Sequence, residues 1–386
     1  MSEATAQATL DPERQRQARV YARLQRRLEV IDMLFGGAYA LAWLAFGWGK
    51  ALGASLAGLT ASPWLLPPLF ALAFGAVYFI LDVPLSYYAG FSLPHRFGQS
   101  NQTRSGWAAD QLKGMAVSLP LGLVLLEVIY FLLRSDPQTW WLWVAGVLLV
   151  FQVLLANLVP VLIMPLFNKY VPLGEEHADL AARLMRLAER ANTKVQGVYK
   201  FDMSRRTRSA NAALTGLGST RRIILGDTLL SEFSADEIET VLAHELGHQV
   251  HRDIPVGIAI ETVITLVGLY LISLVLNLGV VWFGLAGPAD PAALPLLVLA
   301  LGLYGVITMP LTNAYSRWRE RRADEYALEA TGNGPAFASA LTRLANQNLA
   351  EVDPEGWVEF VFYSHPALAR RIRMAEGAGP VRAGTA

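Results

Sequence analysis

The 386-residue chain has no cysteine, which excludes disulfides, thiolate metal sites and cysteine nucleophiles. Charge is scarce: Asp, Glu, Lys and Arg make up 17%, against about 25% in a typical soluble domain. Excess charge of either sign is missing too. The 32 Lys and Arg balance 32 Asp and Glu, so nothing favours a nucleic-acid partner. Residues 1–29 are polar and lack the apolar core expected of a signal peptide. What remains is apolar sequence, 53% of the chain, with a mean hydropathy of +0.34. That composition excludes disorder and points to a polytopic membrane protein with a smaller polar domain.

A helix crosses roughly 30 Å of hydrocarbon with about 20 mostly apolar residues. Six stretches qualify: 30–49, 63–93, 114–133, 140–167, 254–284 and 292–313. Trp64, Trp107, Trp140, Trp141 and Trp143 lie near their ends, where interfacial aromatics belong. Ahead of the first span, six arginines surround Val20, Leu24 and Leu28, a pattern that suits a surface helix. Threading six spans from a cytoplasmic N-terminus puts 30 of the 32 Lys and Arg on one side, leaving only Lys50 and Arg134 on the other. The positive-inside bias therefore places both large polar segments in the cytoplasm, with the spans in the cell membrane. Asp32, Asp82, Glu127, Gln152, Asn157, Glu261 and Asn277 fall within or at the edges of the spans. They face either the bundle interior and a wet cavity or, if the spans are shorter, the interface.

Between the fourth and fifth spans the pattern becomes that of a small soluble domain. Leu180, Leu184, Leu187 and Ala191 share one face of an expected helix over 175–192. Residues 197–201 and 222–225 read as strands, and 211–218 as a weaker edge or hairpin strand containing Gly216 and Gly218. Ser234 and Glu237 form a capping-box pattern, so a helix should start there and run to about His251. The Gly- and Ala-rich residues 376–386 are expected to fray.

That capped helix carries His244-Glu245-Leu246-Gly247-His248. Two histidines at i and i+4 lie on one face and can both donate to one Zn²⁺, with Glu245 beside them to polarise a water. An open zinc site needs a third protein ligand. His251, a further turn along the same rigid helix, lies too far from the metal. The remaining option is a carboxylate from the segment that begins after the sixth span. Glu320 is the leading candidate there, with Glu325 and Glu329 as alternatives. Asp324 lies one turn from Glu320, so one can bind metal while the other orients a histidine.

The chain resembles the type I CAAX prenyl endopeptidases, integral-membrane zinc metalloproteases of the gluzincin group. The resemblance rests on 81–88, 96–98 with 101–103, 164–173, Ser209-Ala-Asn-Ala212, 222–229, the HELGH block, Ser316-Arg317 with Glu320, Ala323 and Asp324, and Ser364-His-Pro366. It spans about residues 30–375. The resemblance implies a mainly α, polytopic helical membrane protein enclosing a chamber, with a zincin-like α+β metalloprotease domain containing a small sheet. It divides the chain into the 1–29 segment, four transmembrane helices in 30–167, a cytoplasmic metalloprotease part at 168–253, two helices in 254–313 and the rest of that domain at 314–386. One Zn²⁺ per chain would be held by His244, His248 and Glu320, with Glu245 the general base and Asp324 supporting the site. Asn211 and Ala212 would lie along the substrate, and His365 and Arg371 would contact it, His365 also steadying the oxyanion. The substrate would be a peptide or protein, lipid-modified in the family, reached alongside membrane lipid. Members of the family usually begin with a further span that is absent here.

Two other classes fit parts of the pattern. A membrane scaffold or holdase could keep a structural zinc site, although the complete HExxH with its glutamate argues against it. A transporter would explain the charged spans but lacks two matched, broken-helix halves. No motif specifies an oligomeric state.

Overall fold

A computed structural model describes residues 8–216 and 218–378. Six of its helices are long and apolar enough to cross a membrane. The first, α1 (Pro12–Ala45), is capped by Asp11, whose side chain accepts from the backbone N–H groups of Glu13 and Arg14. It runs unbroken from the arginine-rich arm into the first span, so the expected surface helix and span are one element. Gly47, at φ 70°, ends this run, and α2 (Trp48–Ala57) starts a new direction two residues before the expected end of the span.

Next come α3 (Leu66–Tyr87), a π turn at Tyr88–Ser92 and α4 (Leu93–Arg96). They are followed by α5 (Arg104–Ser135), α6 (Trp140–Leu158), a second π turn at Val159–Ile163 and α7 (Met164–Phe167). Pro94 and Pro160, which lack an N–H, sit at the two wide turns.

The polar layer contains β1 (Tyr170–Pro172), α8 (Ala178–Arg190), β2 (Val198–Phe201), β3 (Ala212–Thr215), β4 (Arg222–Gly226) and α9 (Asp227–Glu232). The sheet order is β1-β2-β4-β3, with β2 and β4 parallel and the outer pairs antiparallel. Central β4 reads as a continuous apolar run because Ile223, Ile224 and Leu225 are all buried. β3 is an edge strand; Leu217, in the weak strand expected there, lies outside the described residues, as do residues 379–386 of the expected frayed tail. β1 is too short to show a period and was not anticipated.

The capped helix is α10 (Ala235–Val250), with the reciprocal Ser234–Glu237 box in place. Arg252, at φ 55°, turns the chain into α11 (Asp253–Phe283), and α12 (Leu294–Thr331) follows. The apolar run of α12 ends near Asn313, yet the helix continues. Beyond Asn313 neither Gly nor Pro occurs until Gly332, whose φ of 59° stops the helix. Glu320 therefore rides on the sixth span itself. Three helices close the described chain: α13 (Gly334–Gln347), α14 (Gly356–Phe362) and α15 (Leu368–Gly377).

Two main apolar cores result. One, within the spans, is built around Phe70, Tyr130, Trp140 and Ile272; the other, in the polar layer, around Leu184, Ile223, Leu242 and Phe337. Several polar span residues find partners there. The Tyr78 hydroxyl donates to Asp32 at 3.2 Å, and Gln152 Nε2 donates to Glu261 at 2.7 Å between α6 and α11. The arm of α1 is tied to the polar layer: Asn346 Nδ2 donates to Thr9 O (2.9 Å), Gln15 Nε2 to Ala350 O (3.2 Å), and Arg26 pairs with Glu351 (2.9 Å).

A close junction joins α10 to α12. A Cβ on Gly247 would stand 2.9 Å from Ala323 Cα and 3.2 Å from Ala323 O. Overpacking of this kind typically costs about 1–3 kcal/mol. Gly247→Val is expected to lower the thermal midpoint in detergent and to reduce bound metal, because it forces the two site-bearing helices apart; denaturation and metal analysis check both.

Candidate active site

α10 and α12 bring His244, His248 and Glu320 together, with one donor atom from each all within 4.8 Å of one another. Glu320 Oε2 lies 3.2 Å from His244 Nε2, and Glu320 Oε1 lies 3.5 Å from His248 Nε2. Behind each imidazole stands a carboxylate. His244 Nδ1 is 2.9 Å from Asp324 Oδ1, and His248 Nδ1 is 2.7 Å from Asp253 Oδ2. A carboxylate only accepts, so each Nδ1 carries a proton and donates it, and each Nε2 turns toward Glu320. Of the other candidate acids, Glu325 is exposed and pairs with Arg321, and Glu329 is exposed as well. His251 caps α10 and packs against the Tyr326 ring.

These residues suit a divalent cation. Glu320 is 6% exposed, and its Oε2 is buried without a hydrogen-bond partner. Two nitrogens and a carboxylate oxygen converging on an orphaned buried anion form a donor set for a borderline-soft metal. Burial favours the neutral form of Glu320, but His244, His365 and His248 outweigh it and lower its pKa to about 2. Burial likewise works against a charged His244, yet Asp324 and Glu320 raise its pKa to about 9.

Glu245 lies beside this cluster. Burial raises its pKa, partly offset by His244 and His248, and the Leu214 backbone N–H of β3 is bonded to its carboxylate. The edge strand thus passes directly along the catalytic helix. Asn211 O accepts from Gly226 N at 2.9 Å and so faces β4. By the alternation of an antiparallel pair, the outward-facing backbone groups belong to Ala212 and Leu214. Asn211, an expected substrate contact, therefore turns its carbonyl to β4, and its side chain is exposed.

His365 Nε2 lies 3.4 Å from Glu320 Oε2, and its side chain is 57% exposed. Arg371, expected to touch substrate, is 9% exposed and gives Nε and Nη2 to Asp324 at 2.7 and 2.6 Å. Both residues line a cavity of about 910 Å³ whose opposite wall is the arm of α1, with Tyr21, Gln25 and Arg26. Sequence reasoning missed Asp253. The available signal was an acid five residues beyond His248, at the first position after a helix break.

A His-His-Glu set with a neighbouring glutamate, the histidines on α10 just ahead of the fifth span and buried Glu320 on the extension of the sixth, defines a membrane metalloendopeptidase. Residues 3–169 match the family described as "CAAX prenyl protease N-terminal, five membrane helices", and residues 175–378 match "Peptidase family M48". Similar relatives include the "Uncharacterized metalloprotease YhfN" of Bacillus subtilis, 33% identical over 80% of this chain and 72% of that protein. "CAAX prenyl protease 1" of Saccharomyces cerevisiae is 30% identical over 76% of this chain and 68% of that protein. The crystal structure of S. mikatae Ste24p has the same fold, at a TM-score of 0.85 and 24% identity over 97% of this chain and 93% of that one. The chain belongs to peptidase family M48. The first matched family is described with five membrane helices; among the described residues of 3–169, four are long and apolar enough.

Asp253→Ala leaves His248 in place but frees its ring. It is expected to weaken metal binding about 10- to 100-fold, measured by titrating metal-stripped protein against a competing chelator.

Proposed function

We propose that the protein is a zinc-dependent endopeptidase that cuts near the C-terminus of prenylated protein chains at the cytoplasmic face of the cell membrane. The observation that carries the reading is the convergence of two imidazole Nε2 atoms, each backed by a carboxylate, on buried Glu320. His244, His248 and Glu320 would hold one Zn²⁺, which would act as a Lewis acid toward the scissile carbonyl and the attacking water. The metalloprotease domain would comprise 168–253 and 314–386.

The chain's own residues do the rest. Glu245, with its pKa raised by burial, takes a proton from the water and passes it to the leaving amine. The peptide adds as a further strand along the outer edge of β3, at Ala212 and at the Leu214 carbonyl, the Leu214 N–H being held by Glu245. His365 Nε2–H reaches the same point and donates to the oxyanion. Arg371 holds Asp324, and Asp324 holds His244. Three protein ligands leave an open position, whereas a structural zinc site closes with four; the scaffold reading is therefore not favoured. The cytoplasmic orientation rests on the 30 Lys and Arg gathered on one side of the spans. The prenylated substrate rests on the yeast relative's being a CAAX prenyl protease.

Glu245→Gln is expected to keep one zinc per chain while cleavage of an internally quenched prenylated peptide falls by at least about 10²-fold. Full activity in that variant overturns the mechanism. Glu320→Ala is expected to lose the zinc in metal analysis. Equal kcat/KM for the same peptide without its prenyl group overturns the substrate class.

A further inference from the structure

We infer that Arg317 is the positioning residue for His365. The inference rests on the reading of His365 as the oxyanion donor. With its side chain 57% exposed, His365 is not held by its own packing. Its nearest polar neighbours are Ser364 Oγ, 3.0 Å from Nδ1, and Glu320. The loop that carries it follows α14, a helix of only seven residues, at whose C-terminal end a single backbone bond, Tyr363 N–H to Glu359 O, closes the last turn.

Carbonyls at this end are taken up by α12. Arg317 Nη1 donates to Glu359 O at 2.9 Å, to Phe360 O at 3.3 Å and to Tyr363 O at 2.6 Å. Asn313, one turn earlier, gives Nδ2 to Val361 O at 2.6 Å. A cation at a helix C-terminus also meets the negative end of the helix dipole. Beyond His365, the buried Glu359 carboxylate accepts from Ala367 N at 3.0 Å and pairs with Arg370, closing the loop from its other side. Arg317 lies one turn before Glu320 on the same helix. One rigid element therefore sets both the carboxylate and the loop that holds His365 against it.

In the zinc-loaded enzyme, Arg317→Ala is expected to keep its metal stoichiometry and KM while kcat on the prenylated peptide falls by about 10²-fold, the effect of a misplacement of about 1 Å. Arg317→Lys, a single ammonium without the planar fork, should restore part of the loss. The decisive measurement is a double-mutant cycle with His365→Ala. If Arg317 acts through His365, the double variant is no slower than His365→Ala alone. Losses that multiply overturn the inference, as does a normal kcat in Arg317→Ala alongside an impaired His365→Ala. A normal kcat in His365→Ala overturns the reading of His365 and this inference together. Should Arg317→Ala lose zinc, Asn313→Ala, which removes the neighbouring anchor farther from Glu320, takes its place in the cycle with the same expectations.

Discussion

The approach of α10 to α12 at Gly247 and Ala323 is the contact on which the site depends. Two histidines on one helix can meet a carboxylate on another only if the backbones come nearly into touch. A residue with no Cβ facing one with the smallest side chain allows this. Ala323 and Ala327 are fully buried along the same seam. The glycine of the HELGH block is thus a packing requirement, while His244, Glu245 and His248 of the same block form the candidate site.

Around that seam the charges are arranged in pairs. Asp324 is fully buried, yet it accepts from Arg371 twice and from His244 once, so no lone charge is left in a dry interior. Asp253 does the same for His248 from the far side of a helix break. Breaking such a pair by removing one partner is costly because the survivor stays buried. These acids fix which nitrogen of each ring is free, and so the ligand geometry exists before any metal arrives.

Much of this was legible in the sequence because its signals are local. Apolar runs marked the six spans, the Ser234–Glu237 box marked the start of α10, and the i, i+4 histidines marked one face of it. Less legible was whatever depends on contacts distant along the chain. Spacing favoured Glu320 but left Glu325 and Glu329 as alternatives, since all three follow the same span; burial separates them. Arg371 meets Asp324 across 47 residues, a pairing no local pattern encodes. The continuity of α1 and α12 was hidden because hydropathy changes sharply where the helix does not. β1 is three residues long and shows no period.

α12 is a continuous helix of 38 residues, about 57 Å at 1.5 Å per residue, with Pro310 inside it, its apolar half in the bilayer and Glu320 beyond it. Glu320 stands roughly 10 Å past Asn313 along this axis. Membrane helices answer a change in hydrocarbon thickness by changing tilt. On a lever of that length, about 5° of tilt moves the carboxylate by ~1 Å against α10, enough to matter to catalysis. A change in bilayer thickness would in this way reach the separation between Glu320 and α10.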